Sequence, residues 1–512
     1  MNKIASQRRA GVILGYTNIL TKNLVNLVYT PMLLSFVGQA DYGVYQSCYS
    51  FVFTLTLLSF GFSQAYVRFY TQLKVNGTQE DIRHLNGIYL ALFSLVSLIA
   101  LVCGLFIAFN ANAIFSVGFS AEQISIAETT MFFMAFNISI IIFNSVFDAY
   151  LLSLEEFRFQ QSRQLATTLI TPFAAYGLLC LGMGVIGVAV AQLSINIVLL
   201  ILNGYFCINR LGMRFEMKSF DIKLCKAIAA FSVWIFVNQI CDLVNQSVPN
   251  VLLGALTSAS VVAVFAISVQ IRTVFISLST TISNVFTPRI NKLVAESDDN
   301  TELTHLMTRA GRYQMILFCW VYGGFILLGE FFILHWAGEG FVDAYWMVLI
   351  MTLPLAISLT QNTGIEIQRA KNRHKTRSIA MLTSAVFNVV FTAVAAPYIG
   401  YWAPAIAYFI GQVLCQGVFM NWYYHRRIGL NIGFFWRRVL PVVGVGIVIT
   451  AICLMGTRFL PVNNWLVFFV WGIAYSILFG VAVCLAVLSP QEKAKVFSVI
   501  KIKRESGRNV QD

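Results

Sequence analysis

The chain has 512 residues, of which 58% are hydrophobic and 11% are charged, and its formal net charge is +13. Soluble domains carry roughly 25% charged residues, so this composition excludes a soluble globular enzyme and indicates a polytopic membrane protein.

Apolar runs of membrane-spanning length recur along the chain. A helix rises 1.5 Å per residue and the hydrocarbon core is about 30 Å thick, so about 20 apolar residues cross it. The sequence predicts an all-α membrane protein with fourteen such runs, which we number as spans 1 to 14: 11–37, 44–70, 86–109, 126–151, 164–182, 185–206, 227–255, 259–286, 312–334, 345–368, 378–398, 403–424, 439–457 and 465–488.

The basic residues predict the orientation of these spans. With the N-terminus in the cytoplasm, the eight cytoplasmic segments hold 32 of the 35 Lys and Arg residues, and the external loops hold only Arg458. Positive residues stay on the cytoplasmic side during insertion. We therefore expect both termini in the cytoplasm, and the net charge needs no explanation by nucleic-acid binding.

Matching positions indicate an internal repeat. Pro31 and Pro249 are separated by 218 residues, and so are Asp148 and Glu366. The small residues around Gly184 in the turn between spans 5 and 6 are matched around Gly400, at an offset of 216. Because both copies begin in the cytoplasm, the repeat is parallel. The predicted domains are an N-lobe (1–210), a cytoplasmic linker (211–226), a C-lobe (227–430), an added helix pair (431–488) and a tail (489–512).

Lys22 and Arg272 are the two cations near the middle of apolar spans. A cation at that depth faces the protein interior or a wet cavity and is typical of a transport path. Helical spacing places polar residues on the same faces as these cations, and the predicted cavity residues are Asn18, Lys22 and Asn26 in span 1, Asn238, Asp242 and Asn245 in span 7, and Ser268 and Arg272 in span 8. If the three spans meet, they form a net-positive cavity suited to an anionic group attached to hydroxyl-rich sugars. The alternative is structural: Asp242 pairs with one cation.

Other charged residues lie near the predicted cytoplasmic ends. Asp148 and Glu366 are candidates for proton or ion coupling, as is Asp242, although pairing of the first two with Arg158, Arg369 or Lys371 is the simpler reading. Arg68 and Arg289 are either snorkelling anchors or contacts for a phosphate head group.

Motifs of catalysis are missing from the sequence. The five histidines have no metal-ligand spacing, and there is no Walker A loop, nucleophile elbow or HExxH. We therefore expect no enzyme activity, no cofactor and no metal.

Several N-terminal segments resemble one family. These segments are Tyr29–Gly38 (YTPMLLSFVG), Asp41–Tyr45 (DYGVY), Phe60–Phe62 and Arg68–Tyr70, with Leu154–Phe157 (LEEF) after span 4. They resemble Wzx-type lipid-linked oligosaccharide flippases of the multidrug/oligosaccharidyl-lipid/polysaccharide exporter superfamily. Ser59 departs from this pattern, because relatives often carry an acidic residue there.

The resemblance implies two six-helix bundles in a V that open alternately, with spans 1, 2, 7 and 8 lining the cavity. It implies an oligosaccharide on undecaprenyl pyrophosphate as substrate, with Lys22 and Arg272 on the pyrophosphate. It also implies a bacterial inner-membrane location and, as further partners, membrane lipids, a polysaccharide polymerase and a chain-length regulator. Spans 13 and 14 correspond to a pair that lines a lipid-tail groove in the related lipid II flippases.

Three other functions compete with this one. A lipid II flippase is close, and the sequence separates it only weakly. A drug/cation antiporter of the same superfamily would favour an acidic, aromatic cavity, which a net-positive cavity argues against. A non-transporting scaffold would have no use for two mid-membrane cations.

Overall fold

In a computed structural model, the chain is described at residues 2–59, 61–216, 236, 239–240, 243–244, 246–296, 299–371, 373, 375–490 and 492–493. These residues form helices, turns and loops and contain no strand. The all-α fold class is confirmed. About half of span 7 lies outside the described residues, and only its last part, Val248–Leu256, is placed as a continuous helix.

Contacts divide the chain into two compact units. The first comprises residues 1–269 and 381–408, and the second comprises 270–380 and 409–512. Three helices cross these boundaries: Ala259–Glu296, Lys375–Ile399 and Trp402–Gln412. Residues 246–269 and 381–408 of the predicted C-lobe thus belong to the first unit, and the predicted lobe boundaries stay a prediction.

The first unit contains spans 1 to 6, the end of span 7, the first part of span 8, most of span 11 and the start of span 12. Its further helices are Asn2–Phe53, the 3-10 helix Thr54–Ser59, Phe62–Asn76, Gln79–Phe109, Ala111–Phe115, Ala121–Ser153, Phe157–Cys180, Gly184–Tyr205, the π-helix Phe206–Arg210 and Val248–Leu256. Polar pairs join these helices within the apolar layer. Gln192 donates to the Tyr45 hydroxyl at 2.7 Å, and the Ser97 and Ser139 hydroxyls lie 2.7 Å apart. Hydrogen bonds of this kind are common between membrane helices.

The second unit contains spans 9, 10, 13 and 14 and most of span 12. Its further helices are Asn300–Trp336, the 3-10 helix Glu339–Phe341, Asp343–Thr352, Leu355–Thr360, Asn362–Ala370, the π-helices Val413–Met420 and Tyr424–Ile428, Asn421–Tyr423, Ile432–Thr457 and Trp465–Ala486. Span 14 packs on spans 9 and 13 through Leu327, Leu328, Cys453, Tyr475 and Phe479. The added helix pair is therefore attached to the chain by a contiguous apolar core.

Span 10 is broken into three short helices. The first break is at Leu353 and Pro354, and the second is at Gln361. The Gln361 side chain donates to Asn421 Oδ1 at 2.6 Å, and Trp436 donates to the same oxygen at 2.8 Å. A broken helix is tolerated at membrane depth only where neighbouring helices supply such partners. Partly because of this break, only ten of the described helices are long and apolar enough to be counted as spans by length and composition.

The turns at the two matched glycines have the same backbone conformation. Gly184 has φ 53° and Gly400 has φ 56°, both in the left-handed region. The alanines that follow each glycine are buried in both copies: Ala189, Ala191, Ala405 and Ala407. The division between spans 5 and 6 that the sequence predicts at Gly182–Gly184 is confirmed by this turn.

Gly38 separates spans 1 and 2 inside the long helix Asn2–Phe53. Its φ of 74° and ψ of 176° interrupt the helix, and a Cβ built there would meet no atom within 4 Å. The position therefore requires glycine for its backbone angles rather than for space, because residues with a Cβ almost never adopt these angles.

We predict that Gly38→Ala lowers the unfolding midpoint of the purified protein, by the equivalent of about 1–3 kcal/mol of backbone strain. Gly444→Ala is the matched control, because Gly444 lies in the helix Ile432–Thr457 and its Cβ would also meet open space. The control should unfold no earlier than the wild type. Equal midpoints for the two variants would contradict this account.

Candidate functional site

Lys22 lies on span 1 with its side chain exposed. Within the described residues no carboxylate forms an ion pair with it. Asp242, its predicted counter-ion, lies outside those residues, as do Asn238 and Asn245. A lysine at the middle of an apolar span is costly unless it borders a cavity or reaches an interface. The exposed side chain of Lys22 is therefore compatible with a position on the wall of the predicted cavity.

Asn18 does not share that exposure, although it lies one turn from Lys22. It is 6% exposed, and its amide donates to the backbone oxygen of Gln161 at 2.9 Å and to Gln161 Oε1 at 2.7 Å. These bonds join span 1 to span 5. Asn26, one turn beyond Lys22, is half-buried. On the polar face predicted for span 1, Asn18 therefore takes part in helix packing.

Arg272 is buried near the middle of the helix Ala259–Glu296, with 3% of its surface exposed. One guanidinium nitrogen, Nη1, contacts Met351 Sδ at 3.9 Å in the helix Asp343–Thr352. This contact places the guanidinium against span 10, and the thioether is a weak acceptor. The prediction that span 8 carries a cation inside the protein agrees with this burial.

Ser268, one turn before Arg272, is fully buried and donates to the Val264 backbone oxygen at 2.9 Å. Lys22 and Ser268 belong to the first compact unit and Arg272 belongs to the second. Their convergence on one cavity stays a prediction.

Asp148 is held by three spans of the first unit. Arg163 forms an ion pair with it at 2.8 Å, and the amides of Asn144 and Asn203 donate to it at 3.2 and 3.4 Å. The sequence offered Arg158 as its basic partner, and this was wrong. Arg158 lies in the first turn of the helix Phe157–Cys180 and is exposed, whereas Arg163 is further along that helix and reaches the carboxylate.

Glu366, the matched residue in the repeat, has a different environment. It pairs with Arg369 at 2.7 Å within its own short helix, as the sequence suggested. Lys371, the other basic residue offered as a partner, donates to Asn300 Oδ1 at 2.7 Å. Because the Arg369 side chain is 60% exposed, solvent screens its pair with Glu366. Coupling roles for Asp148 and Glu366 stay predictions, and their environments favour Asp148.

Both arginines predicted at the cytoplasmic surface are exposed. The Arg289 guanidinium lies 3.9 Å from Glu302, and the two side chains are 61% and 48% exposed. An exposed pair at this distance contributes little free energy. Arg68 is also exposed, in the second turn of Phe62–Asn76. Both positions suit the contact with head groups, which stays a prediction.

A close contact between spans 2 and 7 was missed by the sequence analysis. The Asn250 amide donates to Ser50 Oγ at 2.9 Å, and both residues are buried. A Cβ on Gly43 would lie 1.8 Å from the Ala259 backbone oxygen, and one on Gly254 would lie 3.2 Å from Ser47 Cβ. Small residues on each span were the available signal, but spacing alone does not show that the spans touch.

Comparisons with known proteins agree with this architecture. Residues 9–294, more than half of the chain, match the model of a family described as polysaccharide biosynthesis protein. A comparison with curated proteins gave no match.

Several solved structures that are similar to the chain are transporters or flippases. The lipid II flippase MurJ in an inward closed conformation has a TM-score of 0.73 at 16% identity, over 91% of this chain and 98% of that chain. An inward-facing multidrug resistance MATE family transporter of the MOP superfamily has a TM-score of 0.65 at 15% identity, over 81% and 95%. A MOP superfamily transporter from Pyrococcus furiosus has a TM-score of 0.50 at 16% identity, over 85% and 96%. At these identities the likeness shows the fold alone.

We predict that Arg163→Met destabilises the protein by about 1–3 kcal/mol, because it leaves the Asp148 carboxylate without its cation. Arg158→Met removes the same charge from an exposed position five residues earlier and should have little effect. Denaturant unfolding of the purified variants checks both. Asp148→Asn combined with Arg163→Met should recover part of the loss, and equal losses in the two single arginine variants would contradict the assignment.

Proposed function

Because the chain belongs to the family of polysaccharide biosynthesis proteins, we propose that it is a flippase for undecaprenyl-pyrophosphate-linked oligosaccharides. It moves the repeat unit from the cytoplasmic to the outer leaflet of a bacterial inner membrane, for O-antigen, capsule or exopolysaccharide assembly. Both termini lie in the cytoplasm in this proposal.

The proposal rests mainly on one observation, that two cations lie inside apolar spans. Arg272 is buried and Lys22 is exposed on span 1. Pyrophosphate is the one strongly anionic part of the substrate, and charge-assisted hydrogen bonds to phosphate are roughly twice as strong as neutral ones. A low local dielectric strengthens them further. We assign the pyrophosphate to Lys22 and Arg272, and the sugars to Asn26 and the amides predicted on span 7.

Asp242 acts in this proposal as the counter-ion of the empty cavity. Arriving pyrophosphate competes with it for a cation, which couples substrate binding to rearrangement. Asp242 lies outside the described residues, so its placement rests on helical spacing alone.

The contact between spans 2 and 7 supports alternating access. Gly43, Ser47 and Ser50 follow the first external loop of the predicted topology, and Asn250, Gly254 and Ala259 lie at the external end of span 7 and the start of span 8. Backbones that approach this closely leave no path between these segments. We assign the contact to an external gate, closed here, that separates when the substrate leaves.

A lipid II flippase is the second candidate, and the similarity in fold to MurJ favours it. Its substrate also carries a pyrophosphate, so the two cations do not discriminate. The family match favours the polysaccharide substrate. A drug/cation antiporter is disfavoured because two cations in the path repel a cationic drug.

We predict that Lys22→Ala and Arg272→Ala each reduce surface polysaccharide by at least tenfold, since losing one charge-assisted contact to phosphate costs about 1.5–3 kcal/mol. Lys22→Arg should keep partial function. Lys74→Ala, which removes an exposed lysine outside the apolar spans, is the matched control. Polymer production in a strain lacking its own flippase is the measurement, with membrane-inserted protein quantified alongside. Wild-type polymer from both alanine variants at normal protein level would refute the assignment.

A second test addresses the gate. Because the Cβ positions of Ser47 and Gly254 lie about 3.2 Å apart, close to the distance in a disulfide, Ser47→Cys with Gly254→Cys in a cysteine-free background should cross-link on oxidation. We expect transport to fall to background and to return on reduction. Each single cysteine variant should be insensitive to oxidant. Full transport by the completely cross-linked protein would show that these spans need not separate.

A further inference from the structure

A basic cavity in the second unit is separate from the predicted transport path. It has a volume of about 410 Å³ and lies between the helical turns just before spans 9 and 13 and the segment after span 14. Its ionisable lining residues are His305, Arg309, Arg312, Arg438 and Glu492. Cavities of this size are in the range that holds small ligands.

Glu492, the one carboxylate that lines this cavity, already accepts several hydrogen bonds from neighbouring residues. Glu492 accepts hydrogen bonds from the Ser489 backbone amide at 2.9 Å, the Ser489 hydroxyl at 2.8 Å and the Tyr313 hydroxyl at 2.8 Å, and it pairs with Arg312. Burial alone would raise the pKa of Glu492, but these hydrogen bonds and the Arg312 charge lower it to about 2. Glu492 is therefore ionised throughout the physiological range, and it binds the segment after span 14 to span 9.

Within the described part of the chain, neither Arg309 nor Arg438 forms an ion pair with a carboxylate at contact distance. Arg309 hydrogen-bonds to Tyr313 and interacts with the charge of Glu492 at longer range. Arg309 and Arg438 are exposed, and the Arg438 guanidinium lies over the Phe434 ring at 5.6 Å. Stacking on an aromatic ring orients a guanidinium and leaves its edge available for an anion. Three arginines against one carboxylate give the cavity a net positive charge.

The predicted topology puts the cavity at the depth of lipid head groups. Its residues fall within eight positions of the predicted boundaries of spans 9, 13 and 14, which are residues 312, 439 and 488. All three boundaries are on the predicted cytoplasmic side. Basic pockets between membrane helices at this level bind the phosphates of acidic lipids.

We propose that this cavity binds the phosphodiester head group of an acidic membrane phospholipid. Arg309 and Arg438 bind the phosphate oxygens from two helices, and Arg312 is shared between the phosphate and Glu492. The bound lipid bridges span 9 to the added helix pair, whose outer surface is apolar and exposed at Ile447 and Ile473. This site is independent of the transported substrate and of the cations at Lys22 and Arg272.

The test uses the full-length protein in nanodiscs of phosphatidylcholine with increasing phosphatidylglycerol, and lipid bound per protein is counted by native mass spectrometry. Arg438→Ala should weaken phosphatidylglycerol binding roughly fivefold, the effect of one basic residue near an anionic surface. Arg437→Ala is the matched control, because Arg437 is the adjacent exposed arginine and does not line the cavity. It should bind like the wild type.

Glu492→Gln should have the opposite effect on phosphatidylglycerol binding. It removes the competing carboxylate, so phosphatidylglycerol binding should become tighter, an outcome that misfolding cannot produce. Inorganic phosphate and pyrophosphate added to the phosphatidylcholine discs distinguish a lipid site from a site for free phosphate. Equal lipid binding by the Arg438 and Arg437 variants would overturn the proposal. So would protection from thermal unfolding by free phosphate with no preference for phosphatidylglycerol over phosphatidylcholine.

Discussion

The cost of a positive charge in hydrocarbon is the constraint on which the rest of this structure depends. Insertion scales put it at about 2.5–3.5 kcal/mol for an arginine or lysine at the centre of a helix. Arg272 avoids lipid by burial against span 10 in the second unit. Lys22 stays exposed on span 1, so it needs a polar surrounding. A path for an anion meets this requirement, because the anion offsets the charge whenever substrate is present.

Neutral amide donors in the same spans are bound by neighbouring helices. Asn18 is bound to Gln161, and Asn250 is bound to Ser50. Such contacts fix helix positions at a low cost in free energy, because each removes a polar group from hydrocarbon. Charged residues near the ends are paired differently, with Asp148 held across three spans and Glu366 within one turn of its own helix. Equivalent positions in a sequence repeat therefore need not share an environment.

Spans and turns were predictable from the sequence because hydrophobic length and glycine positions act locally. The turn at Gly184 and the burial of Arg272 follow from such local signals. Side-chain partners were harder to predict. The pairing of Asp148 with Arg163 rather than Arg158 depends on how span 5 packs beside span 4. The cavity at Arg309 and Arg438 was not predicted for the same reason, because it combines residues more than 120 positions apart. Asp242, Asn238 and Asn245 lie outside the described residues, so spacing remains the support for their role.

The most direct measurement of the central claim is flipping by the purified protein in proteoliposomes. Three substrates should be compared: a polyprenyl-pyrophosphate-linked oligosaccharide, lipid II and a cationic drug. We predict rapid flipping of the oligosaccharide lipid, slower flipping of lipid II and no drug transport. The Lys22→Ala, Arg272→Ala double variant should flip neither lipid. Drug transport by the wild-type protein with no movement of either pyrophosphate lipid would contradict the account.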